Sequence, residues 1–120
     1  MPLVPLDREQ MIRVFTNIIT NAIASIPEDR EKALISIRAM LLEDVNVIRI
    51  EIADNGTGIP EALKQRVLEP YFSTKKEGTG LGLAIVNQII SDHGGYLRIQ
   101  DNQPVGTVVI IELPMLDVGV

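Results

Sequence analysis

The sequence predicts an α/β sandwich, with helices packed on one face of a mixed, largely antiparallel sheet. Three observations predict it. Apolar residues recur at helical spacing over residues 7–26 and again over 81–92. Each of these stretches is followed by a pair of short segments that alternate at period two. The resulting order of helix, two strands, loop-rich middle, helix and two strands puts the helices in one layer over a sheet.

The first helix is the clearest element. Met11, Val14, Phe15, Ile18, Ile19, Ala22, Ile23 and Ile26 follow the i, i+3, i+4, i+7 pattern of a buried stripe. Asp7 is the expected N-cap, with Gln10 three residues on, and Pro27 closes the segment. Residues 33–40 and 47–53 alternate, with Ile48, Ile50 and Ile52 on one face, and residues 41–46 make the turn of a hairpin. Pro60, at a first helical position, starts a short helix that ends by Glu69-Pro70. Residues 71–80 are polar and glycine-punctuated, a loop. The second long helix runs from about Leu81 to Asp92 and stops at the left-handed cap Gly94-Gly95. Strands at 96–100 and 107–113, joined by a turn at 102–106, complete one domain of 120 residues.

Composition narrows the function. A chain of this length buries roughly two-thirds of its unfolded surface and folds alone. No apolar run reaches the ~20 residues of a membrane span, and the N-terminal residues lack the basic start of a signal peptide. The absence of cysteine excludes a disulfide framework and a thiolate metal site. A net charge of −5 argues against a nucleic-acid partner, which needs clustered cations. The local basic cluster is Lys75-Lys76, between two glycine-rich runs, where it suits the phosphates of a nucleotide better than a polymer.

Those runs, Asp54-Asn-Gly-Thr-Gly-Ile-Pro60 and Gly78-Thr-Gly-Leu-Gly-Leu-Ala-Ile-Val86, hold five of the nine glycines. The second leads straight into an apolar helix, so its free N–H groups and the positive dipole end suit phosphate. Asp54 ends a strand of isoleucines and enters a glycine turn. Its carboxylate either accepts from the exocyclic amine of a base or closes an Asx-turn on its own loop. Asn17 and Asn21 lie one helical turn apart on a polar stripe with Gln10, beside the buried face. Their amides are neutral oxygen ligands of the kind Mg²⁺ accepts beside water and phosphate, or they bond neighbouring backbone. His93, in Ser91-Asp-His-Gly-Gly95, reads as a structural cation at a helix C-terminus.

In order, Asn17-x-x-x-Asn21, Asp54-x-Gly56-x-Gly58, Phe72 and Gly78-x-Gly80-x-Gly82 resemble the N, G1, F and G2 boxes of the catalytic ATP-binding domain of bacterial sensor histidine kinases. That domain has the Bergerat fold of a wider superfamily with DNA gyrase B, HSP90 and MutL. The resemblance covers the chain from about Asp7 to Pro114. Glu69-Pro-Tyr-Phe-Ser-Thr-Lys-Lys76, so close to the second glycine run, is most similar to kinases of the nitrogen-regulation type, whose lid is short.

The resemblance implies ATP and Mg²⁺ as cofactors and gives each residue a role. Asp54 would accept from the adenine N6 amino group, with Thr107 assisting through water. Asn21 would ligate Mg²⁺, with Asn17 beside it, and Lys75 would approach the phosphates. Gly56 and Gly58 would let the chain pass under the base, and Ile59 would line the pocket. Phe72 would anchor a mobile lid over residues 73–80. Gly78, Thr79, Gly80 and Gly82 would form the turn that meets the triphosphate, and Leu81 and Leu83 would dock the lid and the helix. Where ATP-hydrolysing relatives carry a glutamate base, this chain has Asn17, which cannot take a proton from water. Transfer of the γ-phosphoryl group to a histidine on a separate dimerisation and phosphoacceptor domain is therefore expected, with a response regulator downstream. The resemblance also implies a cytoplasmic location for this domain, whether or not the full-length kinase is anchored in a membrane. The same resemblance leaves two other expectations open: a degenerate nucleotide-binding regulatory module, and a serine kinase and anti-sigma factor of the same superfamily.

Overall fold

A computed structural model describes residues 6–64, 66–68 and 82–115. Helix α1 (Arg8–Ser25) is followed by strands β1 (Ile35–Leu42) and β2 (Val47–Asp54). Helix α2 (Gly82–Asp92) is followed by β3 (Tyr96–Asp101) and β4 (Thr107–Pro114). The strands form one sheet in the order β1-β2-β4-β3, and all three ladders are antiparallel. Both helices cover one face of it. The core joins Met11, Val14 and Ile18 of α1 to Val86, Ile89 and Ile90 of α2, over Ile52, Val109, Ile111 and Leu113 of the sheet. Full burial of each such aliphatic side chain is worth about 1.5–3 kcal/mol.

The opposite face is charged. Arg49 Nε lies 3.1 Å from Glu51 Oε2 as an ion pair, off the line of a hydrogen bond. Arg98 pairs with Glu112 across β3 and β4. Between Glu51 and Arg98 in the register sits Ile110, which is buried although it belongs to this face. The aliphatic stems of long charged side chains cover apolar surface in this way.

The expected caps at the start of α1 and the end of α2 are present. Asp7 Oδ1 accepts the Gln10 N–H at 3.0 Å, and the Gly95 N–H closes α2 by donating to the Ile90 carbonyl at 2.9 Å. His93 is structural, but as a neutral ring rather than a cation. Its Nδ1 donates to the Ile89 carbonyl (2.8 Å), while Nε2 accepts the Asp7 N–H (3.0 Å). An acceptor nitrogen carries no proton, so the dipole argument for a charged ring gives way to a tie between the two helices.

Four other expectations are corrected. Ile23 stands 61% exposed on the flank of α1, and the buried positions are Met11, Val14, Ile18 and Ala22. Leu41 and Leu42 belong to β1 rather than to a turn; the reversal is a single 3₁₀ turn, Glu43–Val45, closed by Asn46 at φ 56°. Asparagine tolerates that left-handed conformation, and its Nδ2 also reaches the Met115 carbonyl at 3.1 Å. β1 starts at Ile35, because the backbone at Leu34 is already held by Asn55 through its Oδ1 and N–H. The helix expected after Pro60 is two separate 3₁₀ turns, Glu61–Leu63 and Arg66–Leu68. Pro60 has ψ 143° and lies outside the first of them, which has no side-chain cap to offset the cost of nucleating a helix. The loop expected at 71–80 lies outside the described residues.

Candidate functional site

The site begins where three elements meet: the C-terminus of α1, the turn after β2, and the turn between β3 and β4. Asp54, the last residue of β2, is 6% exposed. Its Oδ1 accepts the Gly56 N–H at 2.8 Å and the Thr107 N–H at 3.3 Å, with the Ser25 hydroxyl at 3.5 Å. Among the described residues no donor reaches Oδ2. The Asx-turn and a ligand acceptor were alternatives in the sequence. One oxygen makes the turn, and the other stays free to accept.

Packing dictates the turn's glycines. A Cβ on residue 56 would lie 2.2 Å from Ser25 Oγ and 2.7 Å from the Ser25 carbonyl oxygen. That carbonyl accepts the Thr57 N–H at 3.0 Å, so the turn is pinned to the end of α1. Gly58 has φ 81°, and Ile59 is half-buried, with its carbonyl accepting from Lys64 Nζ at 3.1 Å. Lys64 also pairs with Glu61 (2.7 Å) and Asp101 (2.9 Å), which bolts the turn to the end of β3. Those hydrogen bonds, Glu61 foremost and then Asp101, hold the Lys64 ammonium above its ordinary pKa. The β3–β4 turn closes the other side: a Cβ on Gly106 would come 2.0 Å from the Asp54 carbonyl oxygen.

From this corner a polar row runs back along α1. Ser25, Asn21 and Asn17 are spaced four residues apart, so they share a face at steps of about 6 Å along the axis. Asn17 and Asn21 are both half-buried, and among the described residues neither amide has a hydrogen-bond partner. The alternative in which they bond neighbouring backbone is therefore not what the structure contains. Among the described residues no group of three or more His, Cys, Asp or Glu is placed to hold a metal ion. The neutral amide oxygens are the donors on offer beside the Asp54 corner.

Asp54, Gly56, Gly58, Ile59 and Thr107 thus come together, and Asn17 and Asn21 line up toward them. Gly82 and Leu83 open α2, where Leu83 is half-buried. Phe72, Lys75, Gly78, Thr79, Gly80 and Leu81 lie outside the described residues. Four residues escaped the sequence reading: Ser25, Lys64, Asn102 and Gly106. Asn102 and Gly106 were legible as a turn, but nothing in the sequence ties that turn to Asp54, 48 positions away.

Residues 6–117 match the family described as histidine kinase-, DNA gyrase B- and HSP90-like ATPases. Sensory histidine kinase/phosphatase NtrB of Azospirillum brasilense is 36% identical over 92% of this chain and 30% of its own length. Nitrogen regulation protein NtrY of Azorhizobium caulinodans is 41% identical over 79% of this chain and 13% of its own. The chain thus spans less than a third of these relatives. Among solved structures, the mycobacterial sensor histidine kinase MprB superposes with a TM-score of 0.82 at 34% identity, over 93% of this chain and 74% of that one. The nucleotide-free catalytic domain of histidine kinase ThkA gives 0.80 at 36% identity, over 92% and 70%. Histidine kinase ThkA in complex with the response regulator TrrA gives 0.76 at 32%, over 94% and 30%. With its fold, the glycine turn after Asp54, the matched family model and these relatives in agreement, the chain belongs to the histidine kinase-, DNA gyrase B- and HSP90-like ATPase family.

Proposed function

We propose that this chain, as one catalytic domain with its core at about residues 7–114, binds Mg·ATP and presents the γ-phosphate to a histidine on a separate dimerisation domain. The carrying observation is the division of labour at Asp54: Oδ1 is engaged by Gly56 and Thr107, while Oδ2 remains for a donor such as the adenine amino group. A buried carboxylate is costly without such donors, and a site built around one rejects ligands that lack it.

The row on α1 sets the direction of the nucleotide. With the base at Asp54, its sugar and phosphates extend along Ser25, Asn21 and Asn17. Asn21, with Asn17 beside it, is a fit ligand for Mg²⁺, because that ion keeps several waters and takes few protein oxygens. Bound there, Mg²⁺ would supply charge neutralisation to the phosphates. Lys75 and the amides of Gly78, Thr79, Gly80 and Gly82 are assigned to the phosphates, Phe72 to anchoring the covering segment, and Leu81 and Leu83 to its packing. Asn17 takes no proton from water, so the side chains favour a protein acceptor over hydrolysis. Positioning and electrostatics then carry most of the transfer.

The partners in this reading are the phosphoacceptor domain of the same kinase and, through it, a response regulator; ThkA is seen bound to such a regulator. The location is the cytoplasm. Among the described residues no helix is long and apolar enough to cross a membrane.

Calorimetric titration of ATP with and without Mg²⁺, followed by transfer to a supplied dimerisation domain, tests the proposal. Saturable, Mg²⁺-sensitive binding and a phosphorylated histidine are expected. No binding at millimolar ATP defeats it, and binding without transfer leaves a regulatory nucleotide module instead.

A further inference from the structure

Side chains replace the last rung of the β2–β4 ladder. The register pairs Ala53 with Val108, so its continuation would set Asp54 against Thr107. The Thr107 N–H instead donates to Asp54 Oδ1 at 3.3 Å. The Asp54 carbonyl is satisfied by a residue outside the ladder, Asn102, whose Nδ2 donates to it at 2.7 Å. Asn102 is itself held on two sides. Its Oδ1 accepts the Gln103 N–H at 2.9 Å, and its backbone N–H donates to the Gly106 carbonyl at 2.9 Å. Turning the amide over would set its oxygen against the Asp54 carbonyl and its NH₂ against the Gln103 N–H, so the orientation is determined.

We propose that Asn102 is a positioning residue for the nucleotide base, acting through Asp54 without touching the ligand. By occupying the Asp54 carbonyl, it leaves the Thr107 N–H to the carboxylate. Two backbone donors, from Gly56 and Thr107, then fix Oδ1, and Oδ2 is the oxygen presented to the base. Without the Asn102 amide, the Asp54 carbonyl loses its partner, and a backbone acceptor in this part-buried setting takes another donor where one is near. Thr107 is that donor. Completing the ladder would withdraw it from Oδ1 and let the carboxylate rotate.

This inference rests on the nucleotide reading, and its test separates the two. ATP and purine riboside 5′-triphosphate, which lacks the 6-amino group, are titrated into the wild-type chain and into Asn102→Ala, each shown to be folded by thermal unfolding. The wild type is expected to prefer ATP by about tenfold or more, the worth of one hydrogen bond to a charged acceptor. Asn102→Ala is expected to compress that preference to about threefold or less, while its affinity for the purine analogue stays within about twofold of the wild type. A purely structural role would weaken both nucleotides equally and keep the preference; that result overturns the assignment of Asn102 alone. A wild type that binds both equally overturns the role of Asp54, and one that binds neither overturns the nucleotide reading, each taking this inference with it. Should Asn102→Ala fail to fold, Asn102→Ser keeps a turn-forming residue with too short a reach for the Asp54 carbonyl, and the same compression is expected.

Discussion

His93 Nε2 accepts the backbone N–H of Asp7 at 3.0 Å, and through this bond the end of α2 holds the start of α1. The other ring nitrogen is committed to the Ile89 carbonyl, so the ring is neutral and its tautomer set. His93→Ala should cost about 1 kcal/mol of stability, since two modest hydrogen bonds are lost and the Asp7 amide is reachable by water. Denaturant unfolding measures that loss. ATP affinity should be unchanged, because this tie lies at the far end of α1 from Asp54; a large loss of binding at full stability would contradict the separation.

Gly56→Ala should be more damaging than an ordinary surface change. The added methyl meets Ser25 Oγ at 2.2 Å and the Ser25 carbonyl at 2.7 Å, and the second contact is backbone. Overpacking of this kind costs about 1–3 kcal/mol. Combining it with Ser25→Gly removes the hydroxyl clash and leaves the carbonyl one, so rescue in a thermal unfolding assay should be partial. Full rescue would mean that the helix end moves freely.

Asp54→Asn keeps the size of the side chain and removes its charge. The amide can offer its oxygen to Gly56 and Thr107, but it then turns an NH₂ toward the position of Oδ2, donor against donor for an adenine amine. ATP binding should weaken by about 1.5–3 kcal/mol, roughly 10- to 150-fold in Kd by calorimetry. An unchanged Kd would remove Asp54 from the base site.

What the sequence made legible was local. The stripe and cap of α1, the isoleucines of β2 and the glycine turn after Asp54 each follow from residues within a few positions of one another, where periodicity and turn chemistry act. The misplacements came where tertiary contacts decide. Ile23 has the right spacing for the stripe but lies on a flank that α2 and the sheet do not cover. Leu41 and Leu42 fall within the turn expected at 41–46 but are strand, paired with Ile48 and Val47. The candidate ligands Asn17, Asn21 and Asp54 were found as residue types at a spacing. The reason Asp54 keeps one oxygen free was not, because its holders come from Thr107 and, indirectly, Asn102, about fifty positions downstream.

Asn21→Ala separates metal from base. Neither amide on the α1 row has a partner among the described residues, so truncation leaves no buried group orphaned and stability should change little. Mg²⁺ should then no longer strengthen ATP binding, while adenosine, which has no phosphates, should bind the variant and the wild type alike. Equal losses for adenosine and ATP would place Asn21 in the packing of the site rather than at the metal.

The Lys64 bridge predicts an alkaline limit to stability. Its ammonium joins the Ile59 carbonyl, Glu61 and Asp101, and its pKa in the folded chain is raised above the ordinary 10.5 by the hydrogen bonds to Glu61 and then Asp101. A raised folded value means that the folded state holds this proton more tightly than the unfolded chain. The contribution is therefore complete below pH 10.5 and is lost as pH rises through the higher folded value. Lys64→Met removes the titrating group. The stability difference between wild type and variant should stay flat from neutral pH to about 10 and shrink above it, measured by urea unfolding across that range. A difference that grew with alkalinity would reverse the sign and show that the folded site disfavours the ammonium. Because the same side chain fixes the Ile59 carbonyl beside the glycine turn, Lys64→Met should also weaken ATP binding at pH 7, which calorimetry on the folded variant measures directly.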